Sequence, residues 1–317
     1  MHQRGGTCIG SSRGGFDEAV ILDWLKTNGV SMLFVIGGDG THRAALKLHL
    51  AAQAQQLNLA VVGVPKTIDN DIAHIDRSFG FNTAVEEACR AIRAAKVEAS
   101  CAPNGIGIVK LMGRSAGFIA AHASLSSGDV DLCLIPEVPI VIEGADSVLE
   151  HIRKTVLRKN HAVVVVAEGA GEELLGACAA VDAKQQAAGG SKKLPAIGDF
   201  MKEKITAHLK KSRLECTVKY IDPSYMIRSV PANAADALFC LLLAQNAVHT
   251  AMAGFTGVSI GLVNNRMVLL PMTALIEDSP RNMDAHGRTW ERVLSKSGQP
   301  NHAGAQVSSQ YYIGILG

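Results

Sequence analysis

The sequence predicts an α/β fold with a mainly parallel sheet covered by helices on both faces, and three observations predict it. Short runs rich in Val, Ile and Leu alternate with longer stretches of helical period, the pattern left by repeated strand–helix–strand units. Several of these runs are apolar throughout, as strands buried on both faces must be. The length, 317 residues and 33.4 kDa, leaves room for one large or two ordinary domains with a well-buried core.

In chain order, strands are expected at 32–36, 59–64, 106–111, 131–135, 162–167, 215–220, 258–263 and 267–270. Between them, Asn82 is placed to cap a helix in which Val85, Ala88, Cys89, Ile92 and Ala95 recur at i, i+3, i+4 spacing. Its opposite face carries Glu86, Glu87, Arg90 and Arg93. A second helix, from Pro231 to about Met252, is apolar almost all round and is expected to be buried on more than one side. Residues 176–198, rich in Ala, Gln, Lys and Gly without periodicity, read as a surface loop or insertion. No repeat of fixed period is present in the sequence.

Composition narrows the function classes. Hydrophobic residues make up 48% and charged residues 19%, with 31 basic against 29 acidic side chains and a net charge of +2. That balance argues against a polybasic nucleic-acid surface, and aromatics at 4% weaken that reading further. The longest apolar runs, such as 237–244, fall short of the roughly 20 residues that span a bilayer. The seven cysteines are scattered singly, without a C-x-x-C pair or zinc spacing, and residues 1–15 hold no apolar leader core. A reduced, cytoplasmic chain is therefore expected.

In a doubly wound sheet, ligands gather beyond the carboxyl ends of the strands, so the turns there carry the chemistry. Four stand out. Gly37-Gly38-Asp39-Gly40-Thr41 offers backbone N–H groups and a helix N-terminus to phosphate, and Asp39 an oxygen suited to Mg²⁺. Alone, it also fits a tight turn with a capping Asp. Pro65-Lys66-Thr67-Ile68-Asp69-Asn70-Asp71 places two carboxylates two positions apart, and in an extended segment both would point the same way. This suits a general base beside a metal- or lysine-linked carboxylate, or an exposed Asp-rich turn. Leu111-Met112-Gly113-Arg114-Ser115-Ala116-Gly117 sets an Arg at a strand-to-helix junction, where it could neutralise a transferring phosphoryl group or simply face solvent. Ala167-Glu168-Gly169-Ala170-Gly171 ends a strand with a carboxylate that would suit a sugar hydroxyl, or only a turn.

Together and in this order, these four motifs resemble the phosphofructokinase family. Further matches are Gly5-Gly6-Thr7 with Ser12-Arg13-Gly14-Gly15, then Phe79-Gly80-Phe81-Asn82-Thr83-Ala84, and Lys219-Tyr220-Ile221-Asp222-Pro223-Ser224-Tyr225-Met226-Ile227-Arg228. The likeness runs from about Arg4 to about Leu270. NAD kinases and lipid kinases share a turn like the first but not Thr-Ile-Asp-Asn-Asp or Met-Gly-Arg.

The resemblance implies two Rossmann-like three-layer domains: 1–80 plus about 230–290 for the donor, 81–229 for fructose 6-phosphate, and an irregular tail at 291–317. It implies a cytoplasmic, allosteric, glycolytic transferase that moves a phosphoryl group to the 1-hydroxyl of fructose 6-phosphate with Mg²⁺ and works as a homo-oligomer, without nucleic acid or membrane. By this likeness Asp69 is the base, accepting the hydroxyl proton late in a loose transition state. Thr67 and Asp71 orient its loop, with Ile68 in the same sugar-binding segment, and Arg114 bridges sugar and phosphoryl group. Arg13, Gly14, Gly38, Asp39, Gly40, Thr41 and Lys66 match donor positions, with Asp39 the metal ligand. Met112, Gly113, Glu168, Lys219, Tyr225, Met226, Ile227 and Arg228 match sugar-phosphate positions, and Lys219 follows the plant and protist pattern.

The family contains ATP and pyrophosphate enzymes. Gly40 leaves room for the α-phosphate of ATP where pyrophosphate enzymes carry an Asp. Lys66 is shared with pyrophosphate enzymes, but plant- and trypanosome-type ATP enzymes combine that Lys with Gly. ATP is the expected donor and pyrophosphate the alternative. Two departures from the family are expected to matter: its initial strand and glycine-rich loop are not in this sequence, and residues 304–317 match nothing in it. A truncated, non-catalytic member that binds sugar phosphate or complete subunits is the alternative in a different class.

Overall fold

The computed structural model describes residues 4–10, 14–172, 174–175 and 196–304. The chain divides into two units, Met1–Thr83 with Val230–Arg281, and Ala84–Ser229 with Asn282–Gly317.

In the first unit, α1 (Glu18–Thr27) precedes β1 (Met32–Gly37), α2 (Asp39–Ala54) and β2 (Ala60–Pro65). α1 starts where the Asp17 carboxylate accepts from Val20 N. The second pass through this unit supplies α8 (Ala234–Met252), β7 (Val258–Val263), β8 (Arg266–Pro271) and α9 (Met272–Glu277). The sheet order is β1-β2-β7-β8, parallel except for the antiparallel β7–β8 pair. One face packs Leu22 and Leu25 of α1, Ala45 and Leu48 of α2, and Met272 and Ile276 of α9. The other face packs Phe239, Leu243, Ala247 and Ala251 of α8 against Val62, Val64, Ile260 and Leu262.

Helix α8 differs from its sequence expectation. It begins at Ala234, where the Asn233 side chain accepts from Asp236 N, and it buries one stripe only. Leu238, Leu241, Val248 and Met252 are exposed, because the sheet meets one side of the helix. On β1, Phe34 and Ile36 are exposed as well, and among the described residues this strand pairs with β2 alone. An open strand edge with apolar side chains favours association.

The second unit begins within α3 (Phe81–Ser100) and continues through β3 (Gly105–Leu111), α4 (Phe118–Ser127), β4 (Leu132–Leu134), α5 (Val148–Lys159), β5 (His161–Ala167), α6 (Ile197–Lys211), β6 (Thr217–Ile221), α7 (Ser224–Ser229) and α10 (Arg288–Ser297). Its sheet, β4-β5-β3-β6, is wholly parallel. Val163, Val164, Val165 and Val166 of β5 are fully buried, as a central parallel strand requires. α5 and α6 pack together, whereas α4 is joined by α10 and by α3, whose Cys89 Sγ donates to Ala123 O.

Every strand read from the sequence is present, with ends shifted by a residue or two. Asn82 is not a cap: α3 starts one residue earlier, and the Asp236 carboxylate accepts from Thr83 N and Oγ1 instead. Of the expected loop, 176–195 lies outside the described residues, and Gly198 belongs to α6, where the Tyr220 ring occupies the space a side chain would need. The expected irregular tail contains α10, held by buried Trp290 and Val293, while 305–317 lies outside the described residues. The stretch beginning at Asn282, expected with the donor domain, belongs to the second unit.

The one-sided burial of α8 is testable by urea unfolding. Leu243→Ala, at a buried site, should cost about 2–5 kcal/mol, as truncations of buried Leu do. Leu241→Ala, at an exposed site, should cost about 0.5 kcal/mol or less. Equal losses would contradict the assigned face.

Candidate active site

Parallel pairing brings the first two motif turns together. Gly37 lies opposite Pro65, and Lys66 N donates to Gly37 O at 2.8 Å, so both turns leave the same end of the sheet. The first turn runs straight into α2, whose N-cap Gly38 makes no side-chain cap bond, so the leading N–H groups of the helix lack a side-chain acceptor at the cap. Asp39 is half-exposed and lies 3.8 Å from Arg43, while Arg43 also donates to Ile276 O and Ser279 O at 3.1 Å. Gly40 is exposed, with nothing within 4 Å of where a Cβ would stand.

The Thr-Ile-Asp-Asn-Asp loop is a turn, not an extended segment, so Asp69 and Asp71 are not paired by strand alternation. Asn70 takes a left-handed conformation, φ 58°, and its side chain accepts from Ser78 N at 2.9 Å. Thr67 Oγ1 donates to Asp71 Oδ1 at 2.7 Å, which ties the two ends of the loop together. Arg281 adds a backbone N–H to Asp71 O and a guanidinium bond to Asn70 O. Burial lowers the Arg281 pKa, only partly offset by the charges of Asp71 and Asp76. Asp69 is half-buried and Lys66 exposed.

The second unit repeats the device. Leu111 pairs with Ala167, Glu168 N donates to Leu111 O at 2.9 Å, and Gly169 N donates to Gly113 O at 3.1 Å. The Met-Gly-Arg and Ala-Glu-Gly turns are therefore stitched together. Gly113, at φ 132°, makes the bend that swings Arg114 out of the strand line. On the other side of β3, Lys110 Nζ meets Asp222 Oδ2 at 2.6 Å. Burial opposes the Asp222 charge, but Lys110 and the Ser224 hydroxyl and N–H outweigh it and hold its pKa below the ordinary range. The following α7 leaves Tyr225 and Met226 exposed and stacks Arg228 over the Tyr225 ring at 5.8 Å.

Some expected positions fall elsewhere. Ile227 is 3% exposed and belongs to the core, as the inward position of a short helix must. Met112 is buried, whereas Glu168 is half-exposed and Lys219 exposed. Gly14 is exposed at φ 75°, and Arg13 lies outside the described residues. Among the described residues, no cluster of three or more His, Cys, Asp or Glu is placed to hold a metal.

Sequence reasoning missed Glu137. Its carboxylate accepts from Gly117 N at 2.9 and 3.1 Å and from Met283 N at 2.8 Å, capping α4 directly behind Arg114. Burial raises its pKa, and those N–H groups offset only part of the rise. A carboxylate directly after an apolar strand, in Ile135-Pro136-Glu137-Val138, was the available signal. Glu137 also lines a cavity of about 550 Å³ with Arg114, Ser115, Glu172 and Asn282.

The phosphofructokinase family model matches residues 1–251. The chain belongs to the phosphofructokinase family. It is 48% identical over 310 residues to ATP-dependent 6-phosphofructokinase 7 of Arabidopsis thaliana, covering 98% of this chain and 63% of that one. It is 47% identical over 312 residues to ATP-dependent 6-phosphofructokinase of Amycolatopsis methanolica, covering 98% and 68%. The chain thus spans less than two thirds of the length of the plant relative. Among solved structures, pyrophosphate-dependent phosphofructokinase from Marinobacter aquaeolei shares the fold at TM-score 0.74 and 20% identity, over 93% of this chain and 74% of that one.

In this phosphofructokinase chain, Gly169 packs tightly against the backbone of the Met-Gly-Arg turn. A Cβ there would run into the Arg114 carbonyl. Gly169→Ala should cost about 1–3 kcal/mol, the range for overpacking a tight contact, and should shift the amide resonances of 113–117 in NMR spectra. Wild-type stability with unmoved resonances would contradict the close approach.

Proposed function

We propose that the chain is an ATP-dependent 6-phosphofructokinase, transferring the γ-phosphoryl group of ATP to the 1-hydroxyl of fructose 6-phosphate. The observation that carries this reading is the Lys66 N to Gly37 O bond, which sets the phosphate turn beside the Thr67–Asp71 loop. Donor phosphates at the N-terminus of α2 would then lie next to a carboxylate able to accept a proton. Relatives bearing the ATP-dependent name at 45–48% identity, among them plant, bacterial and trypanosome proteins, support the choice of reaction.

In this reading Asp69 accepts the proton of the 1-hydroxyl, and the Thr67–Asp71 hydrogen bond holds its loop in shape. Phosphoryl transfer is loose, so positioning and charge neutralisation supply most of the rate. Arg114 serves the transferring group, Glu168 a sugar hydroxyl, and Lys219, Tyr225 and Arg228 the sugar phosphate. Asp39 fits Mg²⁺ because it is a half-exposed carboxylate at the phosphate turn, and Mg²⁺ usually takes one or two carboxylates with phosphate oxygens and water. When bound, the ion neutralises phosphate charge.

Gly40 favours ATP over pyrophosphate, because the open space beside it would admit an α-phosphate. Lys66 is the observation that favours the pyrophosphate reading. Exposed apolar residues on α8 and β1 support a homo-oligomer. The described cysteines are free thiols, in keeping with a cytoplasmic setting; no described helix is long and apolar enough to cross a membrane.

Purified chain assayed for fructose 1,6-bisphosphate should turn over with ATP and not with pyrophosphate; the reverse would overturn the donor assignment. Asp69→Asn should lower kcat by at least about 10²-fold while fructose 6-phosphate still binds, because the amide keeps the shape and loses the proton acceptor. More than half of wild-type kcat would remove Asp69 from the role of base. Gly40→Asp should abolish most ATP use, and an unchanged kcat/KM for ATP would refute the steric account of that turn.

A further inference from the structure

His42 sits in the first turn of α2 and is fully buried, 0% exposed. Its Nδ1 lies 2.9 Å from Gly38 O and its Nε2 2.8 Å from Ser259 Oγ on β7. A carbonyl oxygen can only accept, so Nδ1 carries the proton and, in the neutral ring, Nε2 accepts from the Ser259 hydroxyl. Burial lowers the His42 pKa more than the Gly38 carbonyl and the Asp39 charge raise it, which keeps the ring neutral at pH 7. Space for the ring is made by Gly63, paired with Ser259 in the sheet: a Cβ there would stand 2.8 Å from Nε2 and 2.7 Å from Ser259 Oγ.

The contact falls on the peptide that matters for phosphate. Gly37 O is held by Lys66 N, and Gly38 O by His42 N at 3.0 Å as well as by the imidazole. In a planar trans peptide the N–H points opposite to the carbonyl. Fixing Gly38 O from inside the unit therefore fixes the Asp39 N–H toward the outside, at the uncapped start of α2. Through Ser259 the same ring anchors that peptide to the sheet, so the turn cannot rotate without breaking a buried hydrogen-bond chain.

We propose that His42 is a positioning residue for the phosphoryl donor, a buried clamp that aims the first N–H groups of α2 at the donor phosphates. This rests on the reading of Gly37–Thr41 as the donor turn. His42 touches no substrate; it acts through the Gly38–Asp39 peptide.

Three measurements on the purified chain test it. Imidazole ¹⁵N NMR of the wild type at pH 7 should show a neutral ring protonated on Nδ1; a ring protonated on Nε2 alone would overturn the clamp. Calorimetry with ATP alone should show His42→Ala weakening ATP about tenfold, with kcat and the KM for fructose 6-phosphate within about threefold of wild type, the split expected for lost donor binding. His42→Asn, whose amide can donate near the Nδ1 position, should recover most of that loss. Unchanged ATP affinity in His42→Ala would overturn the proposal. So would equal losses toward both substrates with no recovery in His42→Asn, the signature of a merely structural residue. Wild-type chain that binds ATP but does not turn over would contradict the proposed function while leaving the clamp supported by the calorimetry. Wild-type chain that binds no ATP would overturn both.

Discussion

Two parallel pairings, Gly37 opposite Pro65 and Leu111 opposite Ala167, decide where the chemically distinctive turns of this chain arrive. Parallel strands must be joined by crossovers, so every strand of such a pair ends on the same edge of its sheet. Short backbone bonds then continue the ladder past the strands, Lys66 N to Gly37 O in one unit and Glu168 N to Leu111 O in the other. Motifs separated by dozens of residues become neighbours for that reason alone. A register slip of one residue would turn the apolar set of a strand to the wrong face, so burial of β2 and β5 protects the turns as well as the cores.

Each unit supports its turns with side chains that bind backbone groups. His42 and Ser259 hold the carbonyl of Gly38 in the first unit, and Glu137 caps α4 behind Arg114 in the second. Both supports are polar groups, His42 fully buried and Glu137 half-buried, satisfied by partners whose loss would leave a costly orphan. Phosphoryl transfer asks for this kind of scaffold, because catalysis depends on where N–H groups and charges stand more than on covalent chemistry by the protein.

The strands were legible because apolar runs such as Val163–Val164–Val165–Val166 have no other comfortable place. The turns were legible because glycine beside Asp or Arg at a strand end is an unusual combination. What stayed hidden has physical causes. Apolar composition on all sides of α8 could not show that one stripe alone meets a sheet, leaving Leu241 exposed. The short helix α10 keeps one buried face, Trp290, Val293 and Ser297 at i, i+3, i+7 spacing, but only two of its buried side chains are large and apolar in an otherwise mostly polar stretch. Asn70 at positive φ breaks the alternation assumed for Asp69 and Asp71. Glu137 and His42 act through backbone groups, and no side-chain spacing announces a partner of that kind.

The central claim is that ligand chemistry is confined to the turns at the carboxyl ends of the parallel strands. Amide hydrogen exchange of the chain, read residue by residue with ATP and with fructose 6-phosphate, tests it most directly. The account predicts that ATP protects 38–41 and 66, and that the sugar phosphate protects 67–71, 112–117, 168–169 and 224–228, while the opposite strand ends keep their rates. Protection centred on the amino ends of the strands, or none in these turns under saturating ligand, would contradict it.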